Sequence, residues 1–462
     1  MSFKLRPYQE DIIAKARDLM ASGVRKILIQ APTGSGKTAL TAHMIRTAAS
    51  RQMTSWFVVH RRELIKQSSA TFESAGVAHG IISGGFHPNA YIKTQVCNVA
   101  SLRSRYVDMK PPQLIVWDEC HHQTAGTWDK IFKAFPNTFH VGLTATPCRL
   151  DGTGLNKHYD QMINGPSVRW LIDNDFLCDY KLYAPSTVNL TGIHSRMGDF
   201  VKSEISELMD KPTITGNAIT EYERKTPNSR AVAFAVTIKH SQHIAAEFMA
   251  RGVPAAHIDG TTPQVQRDYL LDEFRAGRIR VLSNVDLFGE GFDLPSLETV
   301  IMLRPTRSLG LYLQQVGRSL RPSPGKTHAT ILDHVGNCER HGLPDEDREW
   351  TLEGKTKRAK PREDAIAVKI CPGCFAAQPS GGTSCIFCGY AFEIKEREII
   401  QEDGDLVEVD KDAIKKSRRQ QQGNAQSLQE LVELGKSRSY KRPHLWAKQV
   451  FNGRQRKKIR GG

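Results

Sequence analysis

Short apolar runs alternate along this chain with longer stretches in which apolar residues recur every three to four positions. In the first third the runs fall at 27–30, 56–60, 114–117 and 139–143, and each ends in polar, glycine-containing or charged residues. Such runs, separated by helical stretches, read as βαβ units around a parallel sheet buried on both faces. The pattern returns after residue 225, at 231–235, 255–258, 281–283, 300–303 and 330–332. The expected fold class is therefore α/β, with two tandem parallel-sheet domains. The boundaries expected from the pattern are 1–165 for the first and 226–343 for the second, joined by a mostly helical connector over 166–225. A polar, charged linker at 344–369 leads to a cysteine cluster at 370–392, then an acidic segment and a basic tail over 393–462.

Charge adds a feature that the pattern hides. The 462 residues carry 64 Lys+Arg and 49 Asp+Glu, a net charge of +15. Residues 411–462 alone hold 15 Lys/Arg and 3 Asp/Glu, a net of +12 that leaves the remaining chain near neutral. A basic tail suits a polyanion, since Lys and Arg displace counterions condensed on phosphate backbones. A solvated terminus is the plainer reading. No apolar run approaches the ~18 residues of a membrane span, and Met1-Ser2-Phe3-Lys4-Leu5-Arg6-Pro7 has no signal-peptide core. Nine cysteines, an odd number with lone members, argue against a disulfide framework and for a reducing compartment. A cytoplasmic protein with no membrane partner is expected.

Candidate chemistry sits at the strand ends. Ala31-Pro32-Thr33-Gly34-Ser35-Gly36-Lys37-Thr38 follows the first apolar run. The backbone N–H groups of such a loop can surround phosphates at a helix N-terminus, glycine allowing close approach. Lys37 would neutralise the β- and γ-phosphates, and Thr38 would ligate Mg²⁺. Asp118-Glu119-Cys120-His121 ends another strand, on the rim where parallel strands converge on a ligand. There Asp118 can hold Mg²⁺ while Glu119 orients or deprotonates an attacking water. Nucleoside triphosphate hydrolysis is the expectation. Arg318 and Arg321, far along the chain, could bring cations to the γ-phosphoryl group once the halves close.

These segments resemble a superfamily 2 helicase of the DEAH/DExH type over residues 5–345. Leu5-Arg6-Pro7-Tyr8-Gln9 resembles the adenine-reading segment, with Gln9 as base contact. The loop Thr33, Gly34, Ser35, Gly36, Lys37 and Thr38 is motif I, and His60-Arg61-Arg62-Glu63-Leu64 resembles motif Ia. By that resemblance Arg61 and Arg62 meet nucleic-acid phosphates. Asp118-Glu119-Cys120-His121 is motif II. Thr144-Ala145-Thr146-Pro147 is motif III, which implies that Thr144 and Thr146 couple nucleotide to strand binding. Ser283-Asn284 and Gly289-Glu290-Gly291-Phe292-Asp293 resemble motif V, placing Gly291 and Asp293 at the ATP site. Gln314-Gln315-Val316-Gly317-Arg318-Ser319-Leu320-Arg321 fits motif VI. The resemblance implies RecA-like domains, ATP and Mg²⁺ as cofactors, and a coupling contact between His121 and Gln314. Two departures are visible: Ala31 replaces the first loop glycine, and Asn284 stands where many relatives have Asp.

Cys371, Cys374, Cys385 and Cys388 form two CxxC pairs ten residues apart, a spacing that suits a tetrahedral Zn²⁺ site. A helicase core followed by such a ribbon resembles the RadD-type DNA-repair helicases of bacteria and phages. That resemblance implies DNA, single-stranded or branched, as partner, a bacterial or phage-infected cell, and possible contacts with repair or replication proteins. RNA as the strand, or an ATP-gated zinc-ribbon interaction module that separates no strands, are the alternatives. Pro344-Asp345 with Glu353-Gly354-Lys355 superficially matches a nuclease pattern, but the linker context argues against it. In the tail, Ser427-x-x-Glu430 before Leu428, Leu431, Val432 and Leu434 is a capping-box helix signature. Tyr440, Trp446 and Phe451 lie among Lys and Arg, a composition suited to stacking on bases.

Overall fold

A computed structural model shows how these runs assemble. It describes residues 4–87, 89, 91–122, 126–149, 152–184, 195–196, 199–200, 212–288, 297–354, 368–371, 376–379 and 383–392. In the tail it describes 420–422, 424–425, 427–437, 443–444, 446–448 and 450–452. Gly291, Asp293 and Cys374 lie outside the described residues.

The first half is a seven-stranded sheet of β1 (Lys26–Gln30), β2 (Ser55–Val59), β3 (Gly80–Ile82), β4 (Thr94–Asn98), β5 (Leu114–Trp117), β6 (Phe139–Thr144) and β7 (Gln161–Asn164). Their order is β3-β4-β2-β5-β6-β1-β7, and every pairing is parallel. Alternate side chains feed two cores, as the pleat requires. Ile27, Ile29, Phe57, Val59, Val116 and Leu143 face the helices Pro7–Ala21 and Lys37–Ser50. Leu28, Trp56, Val58, Ile115 and Trp117 face the helix Gly126–Ala134 through Trp128, Ile131 and Phe132. Burial on both faces is why these strands read as unbroken apolar runs.

Beyond β7 come β8 (Asp179–Tyr183), the antiparallel pair β9 (Ser195–Arg196) and β10 (Asp199–Phe200), and then β11 (Ala231–Phe234), β12 (Ala255–Ile258), β13 (Val281–Asn284), β14 (Thr299–Met302) and β15 (His328–Asp333). The second sheet runs β12-β13-β11-β14-β15-β8, again all parallel. Two parallel-sheet α/β domains fit the tandem RecA-like plan. Within 166–225 lie the helices Val168–Asp173 and Pro212–Lys225, and β8 between them completes the edge of the second sheet. Its one fully buried residue, Leu182, explains why the pattern concealed it.

The stretch expected as a linker is partly built into the core. Residues 344–354 leave the second half and return to the first. Leu352 O accepts hydrogen bonds from Leu155 N (2.7 Å) and Asn156 N (2.9 Å), and Thr153 bridges Gly354. Asp345 pairs with Arg169 at 3.2 Å and accepts the Tyr180 hydroxyl. Asp345 is thus held in structural contacts with Arg169 and Tyr180. The ribbon also touches the second sheet, through an antiparallel bridge between Tyr183 and Ala376. Its own pair is β16 (Val368–Ile370) with β17 (Ala377–Pro379).

Residues 394–462 form a separate compact unit. Ser427 Oγ accepts from Glu430 N (3.1 Å) and Glu430 Oε2 from Ser427 N (3.3 Å), the reciprocal box that starts the helix Leu428–Ser437. Leu431, Val432 and Ala447 are buried together, with Trp446, Val450 and Phe451 packed against them. Trp446 and Phe451 thus pack on a small helical core while staying half-exposed; Tyr440 lies outside the described residues. Among the described residues no helix is long and apolar enough to cross a membrane.

Candidate active site

The glycine-bearing loop after β1, the acidic pair after β5 and the segment at the end of β6 lie on the C-terminal rim of the first sheet, where parallel strands present a ligand crevice. The loop after β1 turns through Gly34 at φ +87° and Gly36 at φ +82°, a left-handed region that β-carbons disfavour. Gly36 starts the helix Lys37–Ser50 with no side-chain bond to the helix amides, and Ala39 N–H closes back on Gly36 O (2.9 Å), an uncapped N-terminus of the kind that suits an anion. Lys37 Nζ donates to Ala31 O (3.2 Å) and lies 3.8 Å from Glu119 Oε1. Ala31 itself is buried and donates its N–H to Thr144 O, a role that needs no glycine. Thr38 is exposed at the first helical turn.

Gln9 is nearly buried. Its Nε2 donates to Ser35 O (3.0 Å), and its Oε1 accepts from Arg6 N (3.0 Å). Tyr8 supports the same loop, its hydroxyl donating to Ser35 O at 2.6 Å while Trp170 and Phe176 pack edge-on against its ring. Gln9 therefore braces the phosphate loop directly, and Tyr8 is a loop support that sequence reading left without a role.

Asp118 follows β5, its N–H donating to Val58 O (3.0 Å). Glu119 holds φ +45°, an uncommon conformation for a non-glycine residue. Its Oε2 is buried, accepts no hydrogen bond among the described residues, and lies 3.5 Å from His121 Nδ1. Oε1 thus faces the loop lysine and Oε2 faces His121, and a buried carboxylate oxygen without a hydrogen bond suits a water partner. His121 Nδ1 also contacts Thr144 Oγ1 (3.0 Å), which accepts from Thr146 N (3.1 Å). Motifs II and III are thus one hydrogen-bonded unit.

The second half meets this rim through the helix Leu309–Ser319. A β-carbon on Gly317 would lie 2.6 Å from Thr33 Cβ, and one on Gly34 would lie 3.6 Å from Arg321 Cγ. Only glycine at 317 permits the two halves to touch here. Gly310 abuts Thr146 in the same way, at 2.8 Å from its Oγ1. Gln314 lines a cavity with His121 and Thr146. Arg318 is buried, and Arg321 sits beside the phosphate loop. Lys326 fixes the Arg321 turn: its Nζ donates to Leu297 O (2.7 Å), Arg321 O (2.9 Å) and Ser319 O. Burial pushes the Lys326 ammonium below its usual pKa.

The two arginines expected to meet nucleic-acid phosphates behave differently from each other. Arg62 donates to Gly84 O (2.9 Å) within its own half. Arg61 crosses the cleft, donating to Asp286 O (3.1 Å) and Leu287 O (3.2 Å). Asn284 is fully buried, with Nδ2 donating to Ala233 O (2.9 Å) and Oδ1 accepting from Phe288 N (3.2 Å). A carboxylate could not make the first bond, so the departure from Asp fits its surroundings.

In the ribbon the Sγ atoms of Cys371, Cys385 and Cys388 lie within 4.8 Å of one another, with Cys371 and Cys388 3.7 Å apart. Thiolates about 2.3 Å from a tetrahedral zinc sit about 3.8 Å from each other. Cys385 Sγ accepts the Phe387 N–H (3.4 Å), which orients the sulfur. The three described cysteines fit a Zn²⁺ site.

Comparison with known proteins agrees with this geometry. Residues 2–149 match the family described as "Type III restriction enzyme, res subunit", and 211–323 match "Helicase conserved C-terminal domain". A Lactococcus phage protein described as a 51.5 kDa protein is 36% identical over 391 residues, covering 84% of this chain and 83% of that one. The Saccharomyces cerevisiae protein named "Putative ATP-dependent helicase IRC3" is 27% identical across 72% of this chain and 51% of its own, so this chain spans about half its length. Among solved structures, an HsdR-subunit fragment from Vibrio vulnificus overlays with a TM-score of 0.60 at 22% identity, over 76% of this chain and 67% of that one. That likeness is one of fold. With both halves of the motor matched in order and a phage relative matched over most of its length, the chain belongs to the DExH-type superfamily 2 helicases, the nucleic-acid-dependent ATPases.

Proposed function

We propose that this protein is an ATP-dependent DNA helicase or translocase whose hydrolytic site is completed only when its two halves close, working in DNA repair, recombination or replication. The observation that carries this is the seating of the helix Leu309–Ser319 against the phosphate loop, with Gly317 at Thr33 and Arg321 at Gly34. In this reading 1–165 is the ATP-binding half and 226–343 its partner. Loop amides from Thr33 to Thr38 and the Lys37 ammonium take the phosphates. Gln9 reads the base, and Gly291 and Asp293 complete the nucleotide contacts. Thr38 and Asp118 hold Mg²⁺, which neutralises charge on the phosphate oxygens when bound. Glu119 then accepts a proton from the attacking water, and Arg318 and Arg321 stabilise charge that develops on the γ-phosphoryl group. Loss of that phosphate removes what the arginines grip, so the halves part. His121, Thr144, Thr146 and Gln314 relay the change, a hinge cycle that can advance along a strand.

DNA is favoured over RNA as the strand. A Haloarcula marismortui relative, 25% identical over 73% of this chain and 54% of its own length, bears the name "Putative DNA 3'-5' helicase Rad25". The four cysteines, Cys374 included, hold Zn²⁺ and fold a segment too short for its own core. The basic tail adds a second grip on DNA. The RadD-type resemblance supports the repair setting, and the phage relative supports a bacterial or phage-infected cell. Turnover measured with single-stranded, forked and duplex DNA, and with matching RNA, tests the reading. Stimulation by single-stranded or forked DNA is expected, together with one zinc per chain by metal analysis. Stimulation by RNA alone would overturn the DNA assignment, and turnover indifferent to any strand would favour an ATP-gated interaction module.

A further inference from the structure

After β8 the chain carries the antiparallel pair β9 and β10, which has no part in ATP chemistry or strand binding as proposed. Asp199 and Phe200, the two residues of β10, dock on the loop that leads from β14 into the helix Leu309–Ser319. One oxygen of the Asp199 carboxylate accepts from Arg307 N (2.8 Å) and Thr306 Oγ1 (3.0 Å), and the other from Arg304 Nη2 (3.2 Å). Beside it, the guanidinium carbons of Arg340 and Arg307 lie 5.3 and 5.7 Å from the centroid of the Phe200 ring, which also packs on the main core.

The second half itself holds these donors in place. Asn337 fixes the loop, its Oδ1 accepting from Thr306 N (3.0 Å) and its Nδ2 donating to Arg304 O (3.1 Å). Thr306 Oγ1 accepts from Ser308 N (3.0 Å), which turns the hydroxyl proton toward Asp199. Arg304 is paired a second time, with Asp286. A guanidinium, a hydroxyl and a backbone N–H that meet two oxygens sharing one negative charge are a donor set for a phosphodiester. A flat ring beside guanidinium groups sits where a base can stack. One carboxylate and one ring on adjacent residues thus match the charge and the apolar face of a single nucleotide. A phosphodiester carries the same single charge as Asp199, so exchanging the two leaves the charge around Arg304 unchanged. Asp199 and Arg304 also line the cavity of about 180 Å³ that Arg61 and Gln314 line, which joins these donors to the arginine expected to meet strand phosphates.

We propose that Arg304, Thr306 and the Arg307 N–H form a subsite for one phosphodiester of single-stranded DNA, and that Asp199 and Phe200 fill it until a strand displaces them. β10 is then an autoinhibitory plug, and the strand that enters the cleft must compete with the chain's own carboxylate. The inference rests on the proposed reading of DNA as the strand. It gives the two plug residues distinct parts: Asp199 stands in for the phosphate, and the Phe200 ring for the base.

The test measures binding of fluorescein-labelled oligo(dT) to the full chain by anisotropy, with fluorescent-nucleotide affinity in parallel. Asp199→Ala opens the donors while Asn337 and Ser308 still hold the loop. It is expected to tighten oligo(dT) binding about three- to thirty-fold, because a site filled by the chain itself lowers apparent affinity by the fraction left open. Phe200→Leu keeps an apolar side chain and changes no charge, and should tighten binding about two- to five-fold. In the Asp199→Ala background, Thr306→Val should reverse most of the gain and Thr306→Ser should not. Nucleotide affinity should stay within about two-fold of wild type, since the ligand is a strand phosphate and not that of ATP. Asp173→Ala removes an equal charge at the exposed pair with Arg169, and should leave oligo(dT) affinity within about two-fold. An Asp199→Ala protein that binds oligo(dT) no more tightly than wild type would overturn the plug, as would an equal gain in Asp173→Ala or a gain in nucleotide affinity alone. Should Asp199→Ala not fold, Asp199→Asn keeps the shape without the charge, and unchanged oligo(dT) affinity in it would overturn the plug equally. If neither wild type nor the variants bind oligo(dT), the DNA reading itself fails; if wild type binds and no variant gains, the plug alone fails.

Discussion

The two sheets repeat one motif with opposite consequences. In each, a strand flanked on both sides by parallel neighbours runs into a helix: β1 into Lys37–Ser50, and β11 into Ile238–Ala250. After β1 a glycine-bearing loop intervenes, and the helix begins at Gly36 without a side-chain cap. After β11 the chain turns at once, and Thr237 Oγ1 accepts the His240 N–H (3.2 Å) while His240 Nδ1 accepts the Val236 N–H (3.4 Å). The second helix has a side-chain cap on its first turn; the first has none, and its Ala39 N–H closes back on Gly36 O (2.9 Å). The same topology thus makes a phosphate site in one half and a closed surface in the other. In the proposed reading, the second half contributes instead through Arg318 and Arg321, at the end of the helix Leu309–Ser319 and just beyond it.

This asymmetry can be broken most severely at the open loop. Lys37→Ala and Glu119→Gln are each expected to lower ATP turnover by ~10³-fold or more in a steady-state assay. Turnover near wild type in either would remove the first half's claim to the chemistry. Gly317→Val attacks the contact between the halves, because its β-carbon would meet Thr33 Cβ at 2.6 Å. Strand-stimulated turnover should fall about 10²-fold while nucleotide binding to the first half persists, a separation that fluorescent-nucleotide titration can read.

Smaller effects sharpen the contrast. Deleting 411–462, which carries a net charge of +12, should weaken DNA affinity and flatten its dependence on salt, with basal hydrolysis retained. A salt slope equal to that of the full chain would reduce the tail to a solvated terminus. At the closed helix, Thr237→Ala should cost about 1 kcal/mol in a denaturant melt and leave nucleotide affinity unchanged. A change in ATP binding there would show that the second cap is more than structural.

How legible these features were depended on burial and on sequence distance. The central strands were plain because both their faces are covered, so Ile27 to Ile29 and Val116 to Trp117 are continuous apolar runs. The edge strand β7 was hidden, since only Ile163 of its four residues is buried. β4 was hidden for another reason: it is wholly buried yet polar, with Gln95 Nε2 satisfied by Asn89 O (2.8 Å) and Ile92 O (2.7 Å). In the site, the phosphate loop and the acidic pair were readable because their chemistry demands fixed local spacing. The crossing of Arg61 to Asp286 was not, for it joins residues 225 positions apart. The return of 344–354 to the first half was equally silent, since its bonds to Leu155 and Asn156 run mostly through backbone. The tail helix announced itself through Ser427 and Glu430, but its aromatics read as a stacking surface until Leu431 and Val432 appeared beneath them.

The central claim is that neither half hydrolyses ATP without the other. Single-turnover hydrolysis by Arg321→Ala, with ATP affinity measured in parallel, tests it directly. Arg321 lies in the second half, so ATP should still bind with near wild-type affinity, while its hydrolysis slows by ~10³-fold in the presence of single-stranded DNA. Hydrolysis at the wild-type rate would place the whole reaction in the first half and contradict the account.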